Sequence, residues 1–359
     1  MPGTFENCIA VDAMGGDNAP IAVIDGIALS HVRHPEVRFL LFGDQALLTR
    51  HLASRPDLAE AIEVRHAPDI VSNEERASHA LRSGRQSSMR FAVNSVAEGE
   101  ADCIVSAGNT GALMAMARFV LKTVPGIDRP AIASFFPTER GRSVLLDLGA
   151  NTDCQPENLV QFAVMGALYA KAVLGLGEPT IGLLNVGAEA LKGNDVVKDA
   201  AGQLRDMPLP GQFRGFVEGD DIPRGIVDVV VTDGFTGNVA LKTAEGTARL
   251  YTGWLRETFR SGLLARIGYL MARNAFRDFR DRMDPRRYNG GMFVGLRGIC
   301  VKSHGGMDAE GFANAIDVAI DLVRNRFNER LVAELNAFGD TDDASGVIAM
   351  PAAAKSGTS

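Results

Sequence analysis

A chain of 359 residues with 46% apolar and 23% charged side chains can bury a large core, which excludes disordered, collagen-like and disulfide-stapled architectures. The net charge of −7 argues against a dedicated nucleic-acid binder. The four cysteines, Cys8, Cys103, Cys154 and Cys300, form no C-x-x-C pair and read as buried, reduced thiols rather than a zinc site or redox couple.

In chain order, β-rich runs alternate with helical ones. The pattern predicts a strand at 7–11, a helix over 21–32 and a strand at 37–42. Further strands are expected at 62–64, 102–105, 131–135, 143–148, 180–184, 226–231 and 292–301, with helices over 86–97, 111–122, 157–174 and 195–205. This rhythm implies an α/β fold with a mostly parallel sheet covered by helices. Strands 131–135 and 143–148 leave no room for a crossover helix, so a hairpin across 137–141 makes the sheet mixed. A helix within 309–338 places Phe312, Ile316, Ala319, Val323, Phe327, Leu331 and Leu335 on one core-facing stripe.

Residues 1–339 read as one catalytic domain and 340–359, rich in Asp, Ser, Thr, Ala, Pro and Gly, as a disordered tail. No basic leader precedes an apolar stretch, so no signal peptide is expected. The best membrane-span candidate, 162–170, falls far short of the roughly 20 residues a spanning helix needs.

Residues 249–287 break the rhythm. They hold ten arginines against Glu257, Asp278, Asp281 and Asp284, a local balance of +6. Leu263, Leu264, Ile267, Leu270 and Met271 follow helical spacing, while Arg266, Arg273 and Arg277 fall on a separate face. A basic amphipathic helix or helix pair is expected, turning near Gly262 and Gly268. Its plain reading is a solvated hairpin packed on the core or on a second subunit; its sharper one is contact with an acidic partner, either anionic lipid or an acidic carrier protein.

Six loops after strands carry the chemistry. They read V-D-A-M-G-G-D-N-A-P (11–20), S-A-G-N-T-G-A (106–112), D-L-G-A-N-T-D (147–153), N-V-G-A-E-A-L-K-G-N (185–194), T-D-G-F-T-G-N (232–238) and K-S-H-G-G (302–306). All are placed at C-terminal strand ends, the ligand-binding edge of an open α/β sheet. Their glycines let backbone N–H groups reach a phosphate or another oxyanion. Candidate substrate-binding residues are Asp12, Gly15, Gly16, Asn18, Gly108, Asn109, Thr110, Gly111, Asn151, Asn185, Gly187, Gly193, Asn194, Asp233, Gly234, Gly237 and Gly305. No P-loop, G-x-G-x-x-G, H-E-x-x-H or G-x-S-x-G pattern occurs.

No thiol sits in an obvious exposed turn beside a histidine, Cys154 being the nearest case, so the substrate itself is expected to bring the nucleophile. Inorganic phosphate, already anionic, could attack a carbonyl if the protein positions it and stabilises the oxyanion. Lys192 suits the phosphate and Asn238 the carbonyl oxygen. The plain alternatives are a solvated lysine and a helix cap leading into 239–250. His304 is a candidate acid or base, or a structural loop histidine. Asp12 and Asp17, without a matching Glu/His cluster, make a weak metal signal.

Taken together, V-D-A-M-G-G-D-N-A-P, S-A-G-N-T-G-A, D-x-G-A-N, N-V-G-x-E-x-x-K-G-N, D-G-F-x-G-N and the closing H-G-G resemble the bacterial phosphate acyltransferase family of phospholipid synthesis (PlsX), over about residues 7–335. The resemblance implies conversion of acyl-[acyl carrier protein] and inorganic phosphate to acyl phosphate and free carrier protein, which feeds a membrane glycerol-3-phosphate acyltransferase. It implies a three-layer α/β/α fold like that of isocitrate/isopropylmalate dehydrogenases and phosphotransacetylases, and no organic cofactor or metal. It also implies a homodimer, and peripheral attachment at the cytoplasmic face of the membrane through the helical hairpin. Lys192 and Asn238 fall on the family's catalytic positions. Ala188-Glu189-Ala190-Leu191, less polar than in many relatives, bears on the substrate channel. The rival readings are a phosphotransacetylase using acyl-coenzyme A, an NAD-linked decarboxylating dehydrogenase, and a membrane-surface scaffold that binds carrier protein without turnover.

Overall fold

The computed structural model describes residues 6–274, 276–277 and 284–340. Its first strands, β1 (Asn7–Asp12), β2 (Val37–Gly43), β3 (Ile62–His66) and β4 (Cys103–Ser106), are parallel. Between them lie α1 (Ile21–Arg33), α2 (Gln45–Leu52), α3 (Ala77–Ser83) and α4 (Ser88–Ala97), and α5 (Thr110–Val120) follows β4. Next come β5 (Ala131–Thr138), β6 (Gly141–Leu146), α6 (Pro156–Leu174), β7 (Thr180–Leu184), α7 (Asp195–Asp206), β8 (Gln212–Val217), α8 (Asp221–Arg224) and β9 (Val229–Val231). The chain then forms α9 (Gly234–Arg260), α10 (Leu263–Met271), β10 (Gly291–Val294), β11 (Ile299–Lys302), α11 (Ala309–Arg324) and α12 (Phe327–Asp340). The eleven strands make one mixed sheet ordered β3-β2-β1-β4-β11-β10-β5-β6-β9-β7-β8.

The hairpin expected across 137–141 is present as the antiparallel pair β5–β6. It has a consequence that strand spacing did not reveal. With β10 antiparallel to both β11 and β5, strands β1–β5 and β11 run one way and β6–β10 the other. The six glycine-rich loops therefore do not share one edge. Those after β1, β4 and β11 leave in one direction, and those after β6, β7 and β9 in the other. The register offsets this split. Leu145 pairs with Ser134, Met292 pairs with Ala133, and Gly291 pairs with Lys302. The ends of β6 and β11 are thus level across the centre of the sheet.

Helices cover both faces. Ile9, Val11, Phe39, Val105, Ala131, Ala133, Val144 and Val231 pack with α1, α6 and α11 on one face. Cys8, Ala10, Leu40, Ile104, Ile132 and Leu145 pack with α4 and α5 on the other. Helix α6 is buried from Asn158 to Ala170, so the apolar run at 162–170 is a core helix. Among the described residues no helix is long and apolar enough to cross a membrane. All four cysteines are buried and free.

Two elements differ from the sequence pattern. The run 292–301 is two antiparallel strands, because Gly295 adopts φ +97° and turns the chain. The stripe of 309–338 is carried by two helices, broken after Arg324 with Arg326 at φ +50°. The stripe survives the break, since Phe312, Ile316, Ala319, Phe327, Leu331 and Leu335 are all buried. Elements α2, α3, α8 and β8 were not foreseen. The tail from 341 onward and residues 275 and 278–283 of the basic segment lie outside the described residues.

Tyr169 joins α6 to its neighbours, with ring centroids 5.5 Å from Phe135 and 5.2 Å from Phe327. One turn earlier, a Cβ on Gly166 would stand 2.6 Å from Val229 Cγ1 and 2.8 Å from a Leu146 methyl. The helix is seated that closely on the sheet. Gly166→Val should overpack this contact and cost about 1–3 kcal/mol, read as a lower midpoint in urea unfolding; an unchanged midpoint would mean that α6 is not so closely seated.

Candidate functional site

Two buried aspartates shape the loops. Asp12, at the end of β1, accepts from Ser88 Oγ at 2.6 Å and Ser106 Oγ at 2.7 Å. Burial raises its pKa, and these hydrogen bonds oppose the rise. Gly15 packs directly on this carboxylate and on the backbone of Gly108, where a Cβ would lie 2.7 Å from the Gly108 nitrogen. Asp147, after β6, accepts from the backbone of Ile132 at 2.9 Å, Gly149 at 3.2 Å, Ala150 at 3.1 Å and Asn151 at 2.7 Å. It also accepts from Asn151 Nδ2 at 2.9 Å. Its pKa too is raised by burial against those bonds.

Helix α9 is seated on the Asp147 loop. Its N-cap is Asp233, which accepts from the Thr236 backbone at 2.9 Å and the Thr236 hydroxyl at 2.7 Å. Asn238 is therefore not the cap of a helix over 239–250. It lies inside a longer helix and is exposed. A Cβ on Gly237 would fall 2.0 Å from the Asp147 carbonyl oxygen, so only glycine lets α9 begin there.

Above the sheet α9 roofs a cleft of about 710 Å³. The polar wall includes residues 107–111 and 302–307 with Asp17, Asn238, Lys242 and Glu245, and the apolar wall includes Ile132, Phe136, Pro137, Leu148, Pro223, Leu241 and Ala248. Asn238 and Lys242 are four residues apart on one helix face, hence neighbours. Lys242 Nζ meets His304 Nε2 and Glu245 Oε2 at 3.0 Å. Lys302 Nζ donates to the Ala107 carbonyl at 3.2 Å and to the Ser303 carbonyl. Burial lowers the Lys302 pKa to about 8, with Lys242 adding to the drop and Asp12 opposing it. Burial, then the charge of Lys242, also lowers the His304 pKa; Nε2 of this ring meets Lys242 and its Nδ1 meets the Gly306 N–H at 3.3 Å. Asn289 aligns the last loop, accepting from the His304 backbone at 2.9 Å and donating to Ser303 Oγ at 2.9 Å and Gly311 O at 2.7 Å.

Of the residues singled out in the sequence, Gly108, Asn109, Thr110, Gly111, Asn238, His304 and Gly305 line this cleft. Asn109 also caps α5 through Ala112 N at 3.1 Å and holds the carbonyl of Glu75 at 2.8 Å. Others brace the loops around it. Gly16, with φ +103°, lets the Asp17 N–H reach Gly305 O at 2.9 Å. Asn18 donates to Met307 O at 3.1 Å. Asn151 donates to Pro130 O at 2.8 Å, and Gly234 N donates to Asn151 O at 2.7 Å.

The loop after β7 stands apart. Lys192 is not among the cleft-lining residues; its side chain is 54% exposed and 3.8 Å from Glu189. Asn185 is spent on the carbonyls of Gly187 at 3.2 Å and Lys192 at 3.0 Å. A Cβ on Gly193 would strike Asn185 Oδ1 at 2.2 Å, and Asn194 caps α7 through Val197 N at 2.9 Å.

On the basic segment the turn is at Gly262, and Gly268 lies within α10. Leu263, Leu264, Ile267, Leu270 and Met271 are exposed, as are Arg266, Arg273 and Arg277. Lys242, Lys302, Glu245 and Asn289 were missed by the sequence reading. Lys242 carried a signal, one helical turn after Asn238, and so did Lys302, directly before Ser303-His304-Gly305-Gly306.

A family model described as "Fatty acid synthesis protein" matches residues 8–330. The phosphate acyltransferase of Rhodospirillum centenum is 62% identical over 328 residues, 91% of this chain and 92% of that one. The phosphate acyltransferase of Rhodospirillum rubrum is 57% identical over 327 residues, 91% of this chain and 94% of that one. Among solved structures, a phosphotransacetylase from Streptococcus pyogenes superposes with a TM-score of 0.57 at 18% identity, covering 90% of this chain and 95% of that one. That likeness is one of fold.

Cys154, the thiol the sequence places nearest an exposed turn, donates to Asn151 O at 3.5 Å; burial, then the charge of Asp147, pushes its pKa to about 12. Such a thiol is a poor nucleophile. Iodoacetamide at neutral pH should leave Cys154 unmodified in the folded protein, and Cys154→Ala should keep kcat within about twofold; a loss of about 10² or more would place the thiol in the chemistry.

Proposed function

The chain belongs to the fatty acid synthesis protein family of phosphate acyltransferases, and from that premise we propose that it moves the acyl group of acyl-[acyl carrier protein] onto inorganic phosphate, releasing acyl phosphate and free carrier protein for phospholipid synthesis. It is an enzyme of acyl transfer with phosphate. The observation that carries the finer reading is the cleft beneath α9, which joins an end holding Lys242, Lys302 and the first turn of α5 to an apolar wall. The first suits phosphate and the second a long acyl chain.

In this reading a phosphate oxygen attacks the thioester carbonyl. The Asn238 amide donates to the oxyanion that develops, in a cleft where such donors act more strongly than in water. Collapse breaks the C–S bond, and the proton of hydrogen phosphate leaves on the carrier's thiol. No enzyme nucleophile is needed, in keeping with four buried thiols. His304 orients Lys242 rather than protonating the leaving group. Lys192, exposed beside Val186 and Leu191, is assigned to the phosphodiester of the carrier's phosphopantetheine arm outside the cleft.

The exposed apolar residues of α10 and the arginines beside them support peripheral attachment at the inner face of the membrane. Val239, Leu250, Tyr251 and Trp254, exposed along α9, support a homodimer.

The test of the reaction is an end-point assay with palmitoyl-[acyl carrier protein] and labelled phosphate, the product trapped by hydroxylamine. Wild type should yield acyl phosphate and free carrier protein, and Asn238→Ala should lower kcat by about 10²–10³ while remaining folded. Product from palmitoyl-coenzyme A alone would replace the carrier with the coenzyme.

For the hairpin, sedimentation with anionic vesicles should weaken as salt rises and when Leu263, Ile267 and Leu270 are replaced by Ser. Equal sedimentation with neutral vesicles would remove the electrostatic part, and salt-sensitive binding of carrier protein instead would reassign the arginines.

A further inference from the structure

Two lysines from different halves of the fold meet in the cleft. Lys302 closes β11 and Lys242 lies in the third turn of α9. Carbonyls of Ala107 and Ser303 accept from Lys302, which sets its ammonium against the loop leading into α5. Thr110 and Gly111, in the first turn of α5, line the same cleft. Their N–H groups lie beyond the intrahelical ladder and carry the positive end of the helix dipole. Several charged groups face this point. Asp12, Asp17 and Lys242 act on Lys302, while Glu245 and Arg249 act on His304. Glu245 already binds Lys242 and Arg249, and Asp12 is engaged by two serines. Asp17 accepts from Asn73 Nδ2 at 3.0 Å, and an anion seated between Lys242 and Lys302 would relieve their mutual repulsion.

Building on acyl transfer to phosphate, we infer that Lys302, with Lys242 and the first turn of α5, is the seat of the inorganic phosphate, and that His304 is a positioning residue which accepts from Lys242 and aims its ammonium at that seat. The assignment moves the phosphate-binding cation from Lys192, on the loop after β7, to the end of β11. A dianion entering a partly buried cleft needs such compensation, because a half-paired charge there costs far more than at the surface. The lowered pKa of Lys302 adds a signature, since the seat loses a positive charge as pH rises through about 8.

Phosphate KM at saturating acyl donor reads the seat directly. Lys302→Met should raise phosphate KM about 10- to 100-fold, the worth of a hydrogen bond to a charged group, with the acyl-donor KM nearly unchanged. In wild type, phosphate KM should climb above about pH 8 as Lys302 turns neutral. Lys302→Arg, whose guanidinium does not titrate, should lose that limb and keep only the titration of phosphate itself, common to both enzymes. His304→Gln, which can still accept from Lys242, should keep phosphate KM closer to wild type than His304→Ala.

Calorimetric titration of inorganic phosphate into the folded variants, without acyl donor, separates the seat from the reaction. Phosphate binding that Lys302→Met abolishes supports the inference even if no acyl donor turns over. Unchanged phosphate KM and affinity in Lys302→Met, with both lost in Lys192→Ala, would overturn it.

Discussion

At residues 139–140 the chain reverses between β5 and β6, and that reversal governs the rest of the molecule. Every strand on one side of the turn except β10 runs against every strand on the other. A sheet divided in this way would send its two sets of loops apart. Register prevents it: because Leu145 faces Ser134 and Lys302 faces Gly291, the ends of β6 and β11 sit level. Helix α9 starts from the β9 end of this seam and passes over it, bringing Lys242 to His304 and Asn238 to the same cleft. The cleft is thus a switch point between oppositely directed halves, where ligand sites of α/β sheets arise.

The polar groups around the seam divide by task. Asp12 and Asp147 are buried and fully occupied by hydroxyl or amide donors, so they stabilise loop shape and are too well satisfied to serve a ligand. Asn151, Asn185, Asn194 and Asp233 are spent on backbone groups or helix caps. Facing the cleft are Asn238, Lys242, His304, Lys302 and the first turn of α5, together with the carboxylates of Asp17 and Glu245. Glycines make this compactness possible: at Gly15 and Gly237 a methyl group would collide with the neighbouring loop.

The strand–helix rhythm, the β5–β6 hairpin and the glycine-rich loops were legible because each rests on local patterns. The apolar run 292–301 read as one strand because the turn within it depends on the positive φ of Gly295, which spacing cannot display. The stripe of 309–338 kept its helical phase across a break at Arg326, so periodicity alone could not find it. The cap alternative for Asn238 stayed open because Asn is itself a good cap residue, and only the structure shows Asp233, five residues earlier, in that place. Lys242 looked like any solvated helical lysine until β11 was placed beneath it. The separation of Lys192 from the cleft follows strand order, β7 lying outside β6 and β9 in the sheet, a non-local property.

The most direct measurement of the central claim is a crystal structure of the protein with bound inorganic phosphate. The account predicts the anion beneath α9, within hydrogen-bond reach of Lys302 and Lys242 and of the Thr110 and Gly111 N–H groups. Phosphate held by Lys192 on the loop after β7, with the cleft beneath α9 empty, would contradict it.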